Sequence, residues 1–233
     1  HRFSASALYG NDLFTYTDSP LRENSYVTHE YGGRLYYHAT HKFDVYVEGS
    51  MGFVDYYRSG SLDSKSFGFY AGSFGKLTER ILLNARTGFL SRSYDDSKIN
   101  PYRNWVWEGV ASYRLTERMR VVLEGKRDVQ ESVYQDTAWY GPNMVGLKLH
   151  YRATPHITVE GEGNFQSNRY PRETVEKTTT KKRKDHLILA SLKLIWNPLR
   201  RLVVTIGYYF RQRISNFDDF DYIDHSVDVS MGY

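Results

Sequence analysis

From Leu202 to Ile214 the chain alternates strictly. Leu202, Val204, Ile206, Tyr208, Phe210 and Ile214 share one parity, with Gln212 the exception. Val203, Thr205, Gly207, Tyr209, Arg211 and Arg213 take the other. Successive side chains of an extended chain point to opposite faces, so the pattern specifies a strand with one oily and one polar side. It recurs. Phe43, Val45, Val47, Gly49, Met51 and Phe53 oppose Asp44, Tyr46, Glu48, Ser50 and Gly52. Val145, Leu147, Leu149 and Tyr151 oppose Gly146, Lys148, His150 and Arg152.

A longer period is laid over the short one. Thr40, Thr78, Thr116 and Thr154 lie 38 residues apart, each in a short polar knot such as Leu77-Thr78-Glu79-Arg80 or Leu115-Thr116-Glu117-Arg118. Internal periods of this size indicate repeated supersecondary units. Two strands fit in each unit, joined by a tight turn at the threonine. Longer polar stretches separate the units, at about 10–24, 58–65, 93–104, 130–142, 167–185 and 215–221. The pattern predicts twelve strands, near 2–9, 25–38, 42–57, 66–77, 80–92, 105–115, 118–129, 143–152, 156–166, 186–196, 200–214 and 222–233.

The oily faces meet either a second sheet or lipid. Strands of eleven residues or more reach across a bilayer when tilted, whereas strands of soluble sheets are usually nearer five or six. Alternating short turns and long loops match a periplasmic rim and an external rim. Aromatic residues make up 16% of the chain, with 21 Tyr, and cluster near strand ends as interfacial girdles do. A mean hydropathy of −0.60 fits this reading, because a barrel hides its apolar residues at alternate positions. The expected fold is therefore all-β: a closed, antiparallel transmembrane β-barrel of about twelve strands, short periplasmic turns and longer extracellular loops. The unbroken repeat predicts a single domain over 1–233.

The ends are read in the same frame. The chain starts at His1 without Met or an apolar leader and reads as a processed product, with room for a lost N-terminal segment. At the other end Ile223, Val227, Val229, Met231 and Tyr233 alternate with polar residues. An apolar strand closing on an aromatic resembles the signal read by outer-membrane assembly machinery. Zero cysteines exclude disulfides and thiolate metal sites.

The stretches YRLTERMRVVLEGKRDVQESVY, MVGLKLHYRATPHITVEGEGNFQSNRY and RRLVVTIGYYFRQRISNFDDFDYIDHSVDVSMGY resemble the putative β-barrel porin type 2 family of Gram-negative bacteria. The likeness covers most of residues 25–233 and lies in strand-and-turn texture, not in a catalytic signature. It implies the bacterial outer membrane as location and an association with exopolysaccharide export.

Parity nominates the polar face as a lumen. The positions expected to touch a solute are Arg86, Glu108, Arg114, Glu124, Lys148, Arg152, Glu160, Glu162, Lys193, Arg211 and Arg213. Guanidinium groups there suit polar or anionic solutes through bidentate pairing. Twelve strands about 4.8 Å apart, tilted roughly 40°, give a backbone radius of about 12 Å. Long side chains from opposite walls nearly close such a bore, so an open pore and a plug of paired charges both fit. The basic run Lys181-Lys182-Arg183-Lys184 is expected in the longest external loop, as a site for lipopolysaccharide phosphates or an acidic polysaccharide.

The primary expectation is a porin-like conduit, with partners among outer-membrane lipid, lipopolysaccharide, a polysaccharide or small polar solute, and periplasmic or outer-membrane proteins. Nucleic acid is not expected, because the net charge of +4 is distributed along strands. A non-conducting structural or anchoring barrel is the alternative. A second is a lipid A deacylase, since Asn11-Asp12-Leu13-Phe14 faintly resembles the opening of those barrels and His29, His38 and His150 are available. No spacing implies a nucleophile held to a base, so no enzyme is expected. No cofactor is expected, and no His–carboxylate spacing implies a metal.

Overall fold

A computed structural model describes residues 2–17, 25–57, 62–132, 138–176, 179–199 and 201–232. Lys177, Arg200 and the terminal Tyr233 lie outside them. The strands are β1 (Phe3–Phe14), β2 (Tyr26–Thr40), β3 (Phe43–Tyr56), β4 (Ser64–Lys76), β5 (Ile81–Tyr94), β6 (Tyr102–Arg114) and β7 (Met119–Arg127). They continue as β8 (Gln130–Glu131), β9 (Trp139–Thr154), β10 (Ile157–Glu176), β11 (Thr179–Leu199), β12 (Leu202–Ser215) and β13 (Tyr222–Gly232). All but the two-residue β8 follow one another in a single sheet in chain order, from β1 to β13. The twelve long strands are antiparallel neighbours, as the two-strand repeat predicts.

The threonine period has a common local cause. The hydroxyl of Thr40 accepts the amide of Lys42, that of Thr78 the amide of Arg80, that of Thr116 the amide of Arg118, and that of Thr154 the amide of His156. Each bond measures 3.2 Å. A threonine hydroxyl bonding two residues ahead mimics a backbone turn. The repeat is a repeat of one turn device. Gly75, beside the first turn, has φ +121°, and a Cβ there would fall 2.1 Å from the Lys42 carbonyl oxygen, so no other residue fits.

Strand lengths differ from the sequence expectation where strands are polar. β1 reaches Phe14, inside a stretch read as loop. β10 and β11 cover most of 167–185, also read as loop, pairing Arg169 with Lys184 and Glu173 with Lys182. Beyond the apolar slab a strand is wet on both faces, so the two-residue hydropathy signal vanishes while the ladder continues.

Two compact units make up the chain: His1–Gly75 with Asn84–Glu108 and Asp128–Tyr140, and Lys76–Leu83 with Gly109–Arg127 and Gly141–Tyr233. In the first, β3 shows an inverted distribution. Tyr46, Glu48, Val54 and Tyr56 are buried, while Val45, Val47 and Met51 are exposed. A small apolar cluster of Tyr70, Leu90, Tyr102, Val106 and Val129, with Trp139 against it, lies in this unit. In the second unit Val145, Leu147, Phe165, Leu192 and Leu194 are exposed, whereas Asn168 and Asp185 are buried. Contiguous exposed apolar surface over ionised buried groups is unfavourable in water and natural in hydrocarbon.

Candidate functional site

The polar face of the first unit is a chain of ion pairs. Arg34 on β2 stands opposite Glu48 on β3 in register, and its Nε donates to Glu48 Oε2. The other carboxylate oxygen of Glu48 accepts from Arg86 Nη1 at 3.0 Å, and Arg86 Nε lies 2.7 Å from Glu108. Both guanidiniums lie over tyrosine rings, Arg34 on Tyr46 at 4.8 Å and Arg86 on Tyr70 at 4.7 Å. Cation–π stacking holds these planar groups flat against the wall. The Glu48 side chain is only 3% exposed, so its charge depends on both arginines. This network ties four strands, β2, β3, β5 and β6, together and offers little free charge to a solute.

The second unit differs. The turn at Thr116 and strands β7, β9, β10 and β11 enclose a cleft of about 460 Å³. Its ionisable lining consists of Arg114, Arg118, Arg120, Lys148, Arg152 and Lys193 with Glu117, Glu160, Glu162 and His150. Register explains the grouping: Arg120 stands opposite His150, His150 opposite Glu160, and Glu160 opposite Lys193. The carboxylates are partly spoken for. Lys148 Nζ lies 3.0 Å from Glu124 and 3.5 Å from Glu162, and His150 Nδ1 lies 3.1 Å from Glu160 Oε1. Six cations against three carboxylates leave the lining net positive. Bidentate guanidiniums in such a recess match carboxylate and phosphate groups.

The sequence-nominated positions thus divide. Arg86 and Glu108 belong to the ion-pair chain. Arg114, Lys148, Arg152, Glu160, Glu162 and Lys193 line the cleft, and Glu124 holds Lys148 from beside it. The Arg114 guanidinium also donates to the Glu79 carbonyl at 3.1 Å. Arg211 stands opposite Asp224 and Arg213 lies over the Tyr222 ring at 5.0 Å, neither of them lining the cleft. Arg118, Arg120 and His150 are absent from the solute-contacting positions nominated in the sequence. The register gathers Arg120 and His150, and the Thr116 turn brings Arg118 beside Arg152, the Arg152 amide donating to the Arg118 carbonyl at 2.8 Å.

The basic run needs a correction. Lys181, Lys182 and Lys184 are exposed on β11, but Arg183 is buried. Its guanidinium pairs with Asp185 at 2.5 Å, beneath the Phe220 ring at 3.5 Å and against Tyr170 at 4.7 Å. Asp185 also accepts from Ser215 Oγ at 2.8 Å and Tyr170 Oη at 3.3 Å. Arg183 is a packing anchor for the β12–β13 connection, not a free cation. Strand alternation separates it from the lysines on either side.

The residues nominated for lipid A hydrolysis are split as well. Asn11 and His29 are register partners, joined through Asn11 Nδ2 and His29 Nδ1 at 3.0 Å. Asp12 has the opposite parity and lines a separate cavity with Thr28, Glu30 and Arg92. Among the described residues no group of three or more His, Asp or Glu is placed to hold a metal.

A family model described as "Putative beta-barrel porin 2" matches residues 2–233. No functionally curated protein matches the sequence. Among solved structures, the outer membrane channel DcaP of Acinetobacter baumannii is similar with a TM-score of 0.58 at 12% identity, over 97% of this chain and 71% of that one. The FrpB iron transporter of Neisseria meningitidis is similar with a TM-score of 0.59 at 6% identity, over 90% of this chain. This chain spans 41% of FrpB. At these identities the likeness shows the fold alone.

Proposed function

We propose that this chain, which belongs to the putative beta-barrel porin 2 family and lies in the bacterial outer membrane, closes its sheet into a single barrel and conducts small anionic solutes. The observation that carries the reading is the net-positive cleft of the second unit, with Arg114, Arg118, Arg120, Arg152 and Lys193 around it. Recessed cations raise the local anion concentration and speed entry. The nominated positions Arg86, Glu108, Glu124, Lys148, Glu160, Glu162, Arg211 and Arg213 would set the field along the path. An acidic polysaccharide is the larger solute this charge fits, and the exposed Lys181, Lys182 and Lys184 would meet it, or lipopolysaccharide phosphates, at the outer rim. Purified protein in planar bilayers tests the reading: discrete conductance with anion preference supports it, and a silent bilayer overturns it.

A second reading, a non-conducting anchoring barrel, is favoured by the Arg34–Glu48–Arg86–Glu108 chain and the apolar cluster around Tyr70. It predicts a fixed partner on purification and no conductance. A lipid A deacylase draws no support from Asp12 and His29, which take opposite faces.

A further inference from the structure

Three strands at the start of the sheet bring together residues that no sequence motif connects. On the polar face, Ser4 of β1, His38 of β2 and Asp44 of β3 form a continuous line. Ser4 Oγ lies 3.0 Å from His38 Nε2, and His38 Nδ1 lies 2.7 Å from Asp44 Oδ1. His38 and Asp44 are register partners, and Ser4 pairs with Tyr36, so His38 reaches it on the diagonal. An ionised carboxylate only accepts, so the Asp44 contact places the imidazole proton on Nδ1. A neutral His38 then presents the lone pair of Nε2 to the Ser4 hydroxyl. Nucleophile, base and orienting carboxylate stand in the order and at the separations that acyl transfer requires.

The surroundings define the substrate. Ser4 is exposed, and the His38 and Asp44 side chains are 35% and 19% exposed, so water and solute reach the line. All three have the parity of Arg34 and Glu48, opposite to the lipid-side residues Phe3, Tyr37 and Val45. The acyl donor therefore arrives from water, not from the bilayer. Tyr36 and the exposed Phe74 flank the line as an aromatic pair, 5.9 Å between ring centres, backed by the buried Tyr46 at 5.7 Å from Tyr36. Phe74 stands opposite Asp44 in register. Such rings stack on a planar or pyranose alcohol.

We infer that Ser4, His38 and Asp44 form a hydrolytic triad for water-soluble, short-chain carboxylic esters of a ring-bearing alcohol. His38 Nε2 takes the Ser4 proton as Oγ bonds to the carbonyl carbon. The ester C–O bond then breaks, and the alcohol leaves with that proton. Water, deprotonated in turn by Nε2, attacks the acyl-serine. The carboxylic acid departs and the proton returns to Ser4 Oγ. Ser4 and His38 are catalytic residues; Asp44 is a positioning residue that fixes the tautomer. The inference goes beyond conduction and does not depend on it, since a barrel that never conducts keeps the triad.

The test uses the full chain refolded in detergent. A fluorophosphonate probe is expected to label Ser4, located by peptide mass spectrometry, and 4-nitrophenyl acetate is expected to be cleaved. Ser4→Ala and His38→Gln abolish cleavage, while Ser6→Ala, two residues along the same face, retains it. Asp44→Asn lowers kcat by roughly 10⁴-fold at unchanged KM. Labelling of the unmodified protein decides the matter even where a variant fails to fold. Absence of label on Ser4, cleavage that survives Ser4→Ala, or preference for 4-nitrophenyl palmitate overturns the proposal.

Discussion

Glu48 and Arg86, one full 38-residue period apart, meet at 3.0 Å across the polar face of the first unit. The carboxylate is nearly sealed from solvent and shared with Arg34, so its removal leaves two guanidiniums facing each other. Glu48→Gln is expected to cost about 3 kcal/mol, the scale for breaking a buried pair. The urea midpoint of unfolding, followed by tryptophan fluorescence in detergent, measures it. A midpoint equal to the parent's would mean that the network does not hold the wall together.

Charge reversal in the cleft changes ion preference without disturbing the wall. Arg120 and Arg152 line the recess, and no ion pair of theirs is seen among the described residues. Arg120→Glu with Arg152→Glu is expected to shift the reversal potential in a KCl gradient from anion toward cation preference. An unchanged potential removes the cleft from the conduction path.

The turn device predicts unequal costs for equal substitutions. Thr78 Oγ1 accepts two amides, from Arg80 at 3.2 Å and from Ile81 at 3.0 Å, whereas among the described residues Thr40 Oγ1 accepts the Lys42 amide. At about 1 kcal/mol per bond, Thr78→Ala should destabilise the protein more than Thr40→Ala. Paired unfolding curves of the two variants decide it.

Asp185 collects Arg183, Tyr170 and Ser215 beneath Phe220. Asp185→Ala strands the Arg183 charge and is expected to cost about 3–5 kcal/mol. The loss should be local. Limited proteolysis near residues 215–221 should accelerate, with the rest of the chain protected.

Lipid exposure has its own check. Leu147 is 52% exposed on the apolar face of β9. Leu147→Arg should cost about 2–4 kcal/mol if it sits near the bilayer midplane, whereas a surface site in water would tolerate it. Folding yield into lipid vesicles reads the difference.

Strand identity, the two-faced character of each strand, and the threonine turns were all legible in the chain, because each arises from neighbours along the backbone. The polar outer reaches of β10 and β11 were not, since a strand wet on both sides carries no alternation. The buried place of Arg183 was equally hidden, because it depends on Phe220, far along the sequence. Above all, inter-strand register lies beyond local pattern. A period of two says which way Ser4, His38 and Asp44 point, or Arg34, Glu48 and Arg86. Which side chains touch depends on how far one strand slides against the next, and only pairing of the whole sheet determines that.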